Sequence, residues 1–158
     1  MSAMAQQYCV FVVKFKLSIP DPDMPTPRYH TTIFVETQED GSGYLHHVTG
    51  DITSSGGMRY EKKFRDQPEE SATFYSKTEL GVTDASTYPN SFDEVLRKVP
   101  PPSQQKAFNV KTMRTEPFKT KNPLTFYEPN EPRRPLIKCT EWTEHQAIPA
   151  LKSAGLIQ

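Results

Sequence analysis

A ten-residue run near the start of the chain, Tyr8–Leu17, places the strongest constraint on its fold. The run is rich in β-branched and aromatic residues, which favour a β-strand. Its odd positions, which include Cys9, form one apolar face, whereas Lys14 and Lys16 fall on the other face. The pattern predicts a strand with one buried face, and Cys9 is interpreted as a core residue.

Four further segments are predicted to be strands: His30–Thr37, Tyr44–Thr49, Gly56–Phe64 and Phe108–Thr115. A turn at 40–43, with the sequence Asp-Gly-Ser-Gly, would join the first two of these as an antiparallel hairpin. Two proline-rich stretches, 20–27 and 123–135, are predicted to be loops, because proline has no backbone N–H to donate to a sheet or helix.

Two segments are predicted to be helices. The segment Ser91–Val99 begins with a serine suited to the N-cap position, has Glu94 three residues later, and is ended by Pro100. The last segment, Cys139–Ile157, is helical in pattern, and Pro149 is expected to kink it or to begin a second short helix.

These elements predict an α+β fold, in which a small antiparallel sheet packs against a C-terminal helix that carries Cys139. A chain of 158 residues can bury the core of one domain, so residues 1–158 are expected to form a single unit, with 1–7 flexible.

The composition argues against several functional classes. Lys and Arg total 19, as do Asp and Glu, so the net charge is zero, which argues against a general binder of nucleic acids or anionic membranes. No secretory signal precedes Lys14, and no apolar run approaches the ~18 residues that a membrane span requires. Cys9 and Cys139 are therefore expected to be free thiols in a cytoplasmic protein.

Cys139 is the candidate nucleophile, because it lies at the start of the last predicted helix. Partial positive charge and free N–H groups at a helix N-terminus lower the pKa of a thiol and favour the thiolate. The same N–H groups would stabilise an oxyanion on an attacked carbonyl. A histidine within hydrogen-bond reach would take the thiol proton and later protonate the leaving group.

His30 is the candidate general base, since it opens a strand directly after a rigid proline-rich loop. His46 and His47 point to opposite faces of the next strand, so only one of them can share the face of His30. A hairpin symmetric about 40–41 selects His47, whereas a one-residue change in the turn selects His46. His47 is preferred as the group that orients the ring of His30.

A zinc site formed by His30, His47 and Cys139 is not favoured, because no paired ligands occur at short spacing. No metal ion or other cofactor is therefore expected.

Three motifs occur in order along the chain: Tyr29-His30-Thr31-Thr32-Ile33-Phe34-Val35, Tyr44-Leu45-His46-His47-Val48 and Lys138-Cys139-Thr140-Glu141-Trp142. The set resembles the circularly permuted branch of the papain-like thiol hydrolases, which includes NlpC-type and lecithin:retinol-acyltransferase-like proteins. It is also similar to short fungal proteins with an Arg-His-Trp strand, a His-Val-x-Gly strand and a late Cys-x-x-Trp helix. The resemblance implies attack on an amide, ester or thioester through an acyl-enzyme, with Cys139 as nucleophile, His30 as base and His47 as orienting group.

The chain departs from this pattern at two positions. Lys138 stands where the family has asparagine, and Glu141 stands where the acyltransferase motif has histidine. The sequence stops at Gln158 without the anchor helix of lipid-acting relatives, so a soluble small molecule or peptide is the expected substrate.

Two other functions stay open at this stage. One is a non-catalytic binding protein of the same fold, whose surface would be formed by Tyr88, Phe126 and Tyr127. The other is a small-molecule cyclase or isomerase that uses the histidines as acid and base. The oligomeric state is not indicated by any pattern in the sequence.

Overall fold

The computed structural model describes residues 6–158, so most of the segment predicted to be flexible, 1–5, lies outside the described part of the chain. Gln7 already belongs to the first strand. The strands are β1 Gln7–Lys16, β2 Tyr29–Glu36, β3 Gly43–Gly50, β4 Met58–Arg65, β5 Phe74–Asp84, β6 Lys106–Asn109, β7 Arg114–Thr120 and β8 Thr125–Phe126. The helices are α1 Asn90–Arg97 and α2 at 139–153, and Pro68–Glu70 forms a 3₁₀ turn. The predicted α+β fold is confirmed.

The main sheet has five strands in the order β4-β3-β2-β1-β5, and each neighbouring pair is antiparallel. The predicted hairpin is present as β2 and β3, with Ile33 directly opposite His46. Even-numbered residues of β2 therefore lie opposite odd-numbered residues of β3, and their side chains are on the same side of the sheet. The register of β1 with β2 and of β3 with β4 is regular throughout, so side chains alternate strictly between the two faces of the central strands.

The main sheet buries side chains on both faces. The helix-covered face packs against α1 and α2, and its strand residues include Val10, Ile33, Val35 and Val48. The opposite face, called the far face below, carries a separate cluster formed by Val13, Phe15, Phe34 and Leu45. The alternation of each strand therefore decides whether a given side chain meets the helices.

Strand β1 differs from its sequence-based interpretation in which face meets the helices. Its odd, strongly apolar positions form part of the far face, whereas the even positions Val10 and Val12 pack against the helices. Lys14, also even, forms an ion pair of 3.2 Å with Glu144 of α2. Cys9 is half-buried rather than a core residue.

Helix α2 begins at Cys139, as predicted, and has three parts: an α-helical turn at Cys139–Glu141, a π-helical segment at Trp142–Ala147 and an α-helical segment at Ile148–Ser153. Pro149 lies in the first turn of the last segment, where its missing N–H is tolerated. The π-helical segment that precedes Ile148 interrupts the α-helical hydrogen-bond pattern. This agrees with the expectation that a second short helix begins near Pro149.

Three sequence-based assignments need correction. Ser91 lies inside α1 instead of at its N-cap, which is Pro89. The predicted strand Phe108–Thr115 is a hairpin of β6 and β7. In its turn, Asn109 accepts the backbone N–H of Lys111 on its side-chain oxygen and that of Met113 on its backbone carbonyl. The loop 123–135 contains the short strand β8.

Strand β5 was not predicted at all. Its sequence is largely polar, and its pairing with β1 is interrupted by two register shifts, between Val10 and Phe11 and between Lys14 and Phe15. Such bulges break the two-residue alternation on which strand prediction depends.

Candidate functional site

Cys139 is the first residue of α2 and is buried, with 7% of its surface exposed. Its thiol donates a hydrogen bond of 3.6 Å to the backbone carbonyl of Tyr29, at the start of β2. The resting thiol is therefore held by backbone, and within residues 6–158 it makes no hydrogen bond to a histidine.

The start of α2 is fixed to β2 by side chains on the helix-covered face. The hydroxyls of Thr31 and Thr140 lie 2.8 Å apart, and the hydroxyl of Thr143 donates to the carbonyl of Thr31 at 3.3 Å. These contacts place Thr31, and with it the odd positions of β2, against the helix that carries Cys139.

Arg28 and Glu141 form a bidentate ion pair beside Cys139, with N–O distances of 2.9 Å and 3.0 Å. The Glu141 carboxylate also accepts the backbone N–H of Lys138 at 2.9 Å, which caps the helix. Burial raises the pKa of Glu141, but the hydrogen bonds and charge of Arg28, with the Lys138 N–H, outweigh it and lower the pKa. Glu141, which departs from the acyltransferase motif, is therefore ionised; it caps the helix and forms an ion pair with Arg28.

His30 and His47 lie together, as the sequence predicted. His30 Nε2 and His47 Nδ1 are 2.8 Å apart, although the two residues occupy different strands. His47 Nε2 lies 2.9 Å from Glu61 Oε1, and Glu61 is directly opposite His47 in the β3–β4 pairing. The result is a hydrogen-bonded chain from His30 through His47 to Glu61, referred to below as the His–His–Glu chain.

The His–His–Glu chain and Cys139 lie on opposite faces of the main sheet. His30 shares its face with Phe34, which belongs to the far-face cluster, while Thr31 and Ile33 face the helices. Regular alternation therefore directs the side chain of His30 away from the side of β2 on which Cys139 packs. The structure brings His30 and His47 together but does not bring Cys139 to them.

Burial keeps both histidines of the chain neutral near pH 7. Burial, with a smaller contribution from the charge of His47, lowers the pKa of His30 to about 4. Burial also lowers the pKa of His47, and the hydrogen bond and charge of Glu61 only partly oppose this. Neutral imidazole is the form that accepts a proton.

His46, the alternative to His47, belongs to a different network on the helix-covered face. It is fully buried, its Nδ1 lies 2.5 Å from the hydroxyl of Tyr60, and its Nε2 lies 2.7 Å from that of Tyr88. Tyr60 donates in turn to Asp93 of α1 at 2.8 Å, and Asp93 pairs with Lys62. This network joins β3 and β4 to α1 and is structural.

Basic side chains line the far face of β4 along its length. Arg59, Lys63 and Arg65 alternate with the same period as Glu61 and therefore share its face. Among residues 6–158, none of these three cations has a carboxylate partner within 4.0 Å. The neighbourhood of the His–His–Glu chain therefore carries a local positive charge in a chain whose net charge is zero.

Two cavities lie beside the segment that leads into α2, away from the His–His–Glu chain. Their volumes are about 420 Å³ and 410 Å³, and both are lined by Pro117, Arg134, Pro135 and Leu136. The second cavity also reaches Arg28 and Glu141. Neither is lined by Cys139, His30 or His47.

Glu61 is the residue of the site that sequence reasoning missed. Once His47 is placed on β3, an antiparallel β4 must place one residue opposite it, but the seven-residue connection at 51–57 does not fix which residue that is. Within the described residues, no group of three or more His, Cys, Asp or Glu side chains is arranged to hold a metal ion. None of the helices in that part of the chain is long and apolar enough to span a membrane.

Comparison with known proteins gives one result. The model of a family described as "Family of unknown function (DUF6540)" matches residues 17–158, so the chain belongs to this family. No curated protein and no solved structure matches the chain.

Proposed function

We propose that this family member is an acid–base catalyst, in which His30 removes a proton from a small molecule on the far face and later returns it. His47 would hold the ring of His30. The observation that carries the proposal is the 2.8 Å hydrogen bond between His30 Nε2 and His47 Nδ1, which leaves Nδ1 of a partly exposed His30 without a protein partner in the described residues. A positioned base of this kind accelerates proton transfer by about 10²- to 10⁴-fold.

The protonation state of His30 suits this role. With its pKa lowered to about 4, the ring is neutral at pH 7 and available as a base. The same low pKa makes the protonated ring more acidic than an ordinary imidazolium, so the proton is readily given back to the product. The ring would therefore return to its neutral form after each cycle.

The charge of the surroundings favours a small anionic substrate. Arg59, Lys63 and Arg65 lie on the face of the His–His–Glu chain without carboxylate partners in the described residues. Such a group of cations raises the local concentration of anions and stabilises negative charge that develops when a proton is removed.

The thiol-hydrolase function implied by the resemblance to permuted papain-like proteins is less well supported. The order of a strand with His30, a strand with His47 and a later helix beginning at Cys139 supports a relation to that fold. Its chemistry requires the thiol and its base on one face of the sheet, whereas Tyr29 and Thr31 are the β2 residues that contact the start of α2. We therefore place the proton transfer at His30 and give Cys139 a packing role.

Hydrolysis of p-nitrophenyl acetate tests the proposal, because both a thiol and an imidazole can catalyse it. In this assay reaction, His30 Nδ1 takes a proton from water as the water oxygen bonds to the ester carbonyl carbon. p-Nitrophenolate leaves as its bond to that carbon breaks, and His30 then releases the proton to solvent. We expect His30→Ala to lower the protein-catalysed rate by about tenfold or more. Cys139→Ala and the exposed-histidine control His145→Ala are expected to leave it unchanged.

The pH profile gives a second, independent measurement. The rate of the unaltered protein is expected to be constant between pH 7 and pH 5.5 and to be half-maximal near pH 4, since His30 becomes protonated there. An ordinary exposed imidazole, with a pKa of about 6.5, would already lose most activity at pH 5.5. Loss of the rate in Cys139→Ala with retention in His30→Ala would contradict the proposal and favour the thiol mechanism.

A non-catalytic binding function is the second candidate, and the two cavities beside 134–136 favour it. Both are lined by prolines, the first is also lined by Phe118 and Tyr127, and neither is lined by a histidine or a cysteine. A rate with p-nitrophenyl acetate that none of the three variants changes would favour this alternative.

A further inference from the structure

The His–His–Glu chain ends at a carboxylate that can only accept hydrogen bonds. The hydrogen bond from His47 and the charges of Lys63 and Arg59 lower the pKa of Glu61 despite an opposing effect of partial burial. Glu61 is therefore ionised at neutral pH. An ionised carboxylate has no proton to donate, so in the 2.9 Å contact the hydrogen must be on Nε2 of His47.

This single constraint determines the positions of the remaining ring hydrogens. A neutral imidazole carries one N–H, so His47 with hydrogen on Nε2 presents a lone pair at Nδ1. His30 must then donate through Nε2 across the 2.8 Å contact. The unprotonated nitrogen of His30 is consequently Nδ1, which has no hydrogen-bond partner within residues 6–158.

We propose that Glu61 is a positioning residue that fixes the tautomers of His47 and His30 and thereby makes His30 Nδ1 the free base. The proposal rests on the proposed function only in naming the reaction that this base serves. When Nδ1 takes a proton, the positive charge of His30 is next to His47, whose other nitrogen donates to the Glu61 carboxylate. No proton needs to pass along the chain, and Glu61 stays ionised throughout.

The charged groups around His47 all lie on the strands that pack beside it. Glu61 favours its protonation, whereas Lys63 and Arg59 on the same strand, and His30 on β2 when charged, oppose it. Burial is the largest effect that opposes protonation and lowers the pKa of His47, so the neutral form and its tautomer persist near pH 7.

The ring-nitrogen chemical shifts of ¹⁵N-labelled protein at pH 7 test the proposal directly. The unaltered protein is expected to show hydrogen on Nε2 and a bare Nδ1 in both His30 and His47. Glu61→Ala is expected to convert His47 to a mixture of tautomers and to lower the p-nitrophenyl acetate rate by about tenfold, as is typical when an outer hydrogen-bond partner is removed. Glu61→Gln, whose side-chain oxygen still accepts from Nε2–H, is expected to keep the tautomer.

Glu79→Ala is the matched control, because it removes the same charge from an exposed position on β5 and is expected to change neither tautomers nor rate. Hydrogen on Nδ1 of His47 in the unaltered protein, or unchanged tautomers in Glu61→Ala, would overturn the positioning role of Glu61. A tautomer change in Glu61→Ala without any His30-dependent hydrolysis would support that role while overturning the proposed function.

Discussion

Lowering the pH from 7 to 4 is expected to reduce the free energy of unfolding by about 3 kcal/mol through His46 alone. Burial is the main cause of the depressed pKa of His46, which falls to about 3, with Lys62 and His47 adding to it and Asp93 opposing it. In the unfolded chain the same ring has a pKa of about 6.5. Between these two values the unfolded state binds a proton that the native state does not, so stability falls as the pH decreases.

The hydrogen bonds of His46 explain why the neutral ring is preferred. Because Tyr60 donates its hydroxyl hydrogen to Asp93, its oxygen is free to accept from Nδ1–H of His46. Nε2 then accepts from the hydroxyl of Tyr88. Both ring nitrogens are thus satisfied without a net charge, and protonation would place a charge in a site with no exposed surface.

Denaturant unfolding at pH 7, 5.5 and 4 measures this effect. His46→Gln is expected to lower stability at pH 7 but to show a smaller loss between pH 7 and pH 4 than the unaltered protein, by about 3 kcal/mol. His145→Gln, at an exposed position of α2, is the control and is expected to keep the original pH dependence. Equal losses in His46→Gln and the unaltered protein would refute the assignment.

Gly43→Ala is expected to lower the free energy of unfolding by about 3 kcal/mol, at the upper end of what overpacking costs. Gly43 begins β3 and pairs with Glu36 of β2. A Cβ at this position would lie 1.9 Å from the carbonyl oxygen of Val35 and 2.9 Å from its carbonyl carbon. These are backbone atoms of a central strand, so the added methyl group must push the two strands apart.

Gly56→Ala is the matched control for this substitution, because no atom beyond its two chain neighbours lies within 4 Å of the added Cβ. Its stability is expected to stay within about 0.5 kcal/mol of the unaltered protein. Thermal or denaturant unfolding of the two variants provides the comparison. Equal stability of both would show that the β2–β3 pairing tolerates a side chain at Gly43, contrary to the observed packing.

Both predictions concern the strands that position the His–His–Glu chain. If Gly43→Ala displaces β3 from β2, the 2.8 Å contact between His30 and His47 is lost together with stability. Activity assays on His30 and Glu61 variants are therefore best restricted to proteins whose unfolding at pH 7 is unchanged.

Much of the site followed from local sequence patterns. The hairpin His30–Thr49 was predictable from two strand-like runs around a glycine-containing turn. A symmetric turn favoured His47 over His46 as the neighbour of His30, and the observed register agrees with that preference. The start of the last helix at Cys139 also agreed with the sequence. Each of these depends on neighbours within about twenty residues, where turn length and alternation act directly.

Other features depended on pairings that local patterns do not specify. Glu61 lies opposite His47 only through the register of β3 and β4, and β5 pairs with β1 at separations of 59 to 77 residues with two bulges. The ion pair of Arg28 with Glu141 joins residues 113 positions apart. Local patterns contain no information about which of many polar residues will meet over such separations.

The amino-acid sequence by itself determined an α+β chain with Cys139 at the beginning of the last helix, and it favoured His47 over His46 as the neighbour of His30 on the adjacent strand. Only the tertiary structure decided which face of the sheet that helix covers, and it separates Cys139 from the histidines. The physical reason is that β2 is buried on both sides from Thr31 to Val35. Consecutive residues of this strand are apolar or small, so neither of its faces is polar enough to keep the helix away. Which face α2 covers therefore depends on the packing of the whole chain.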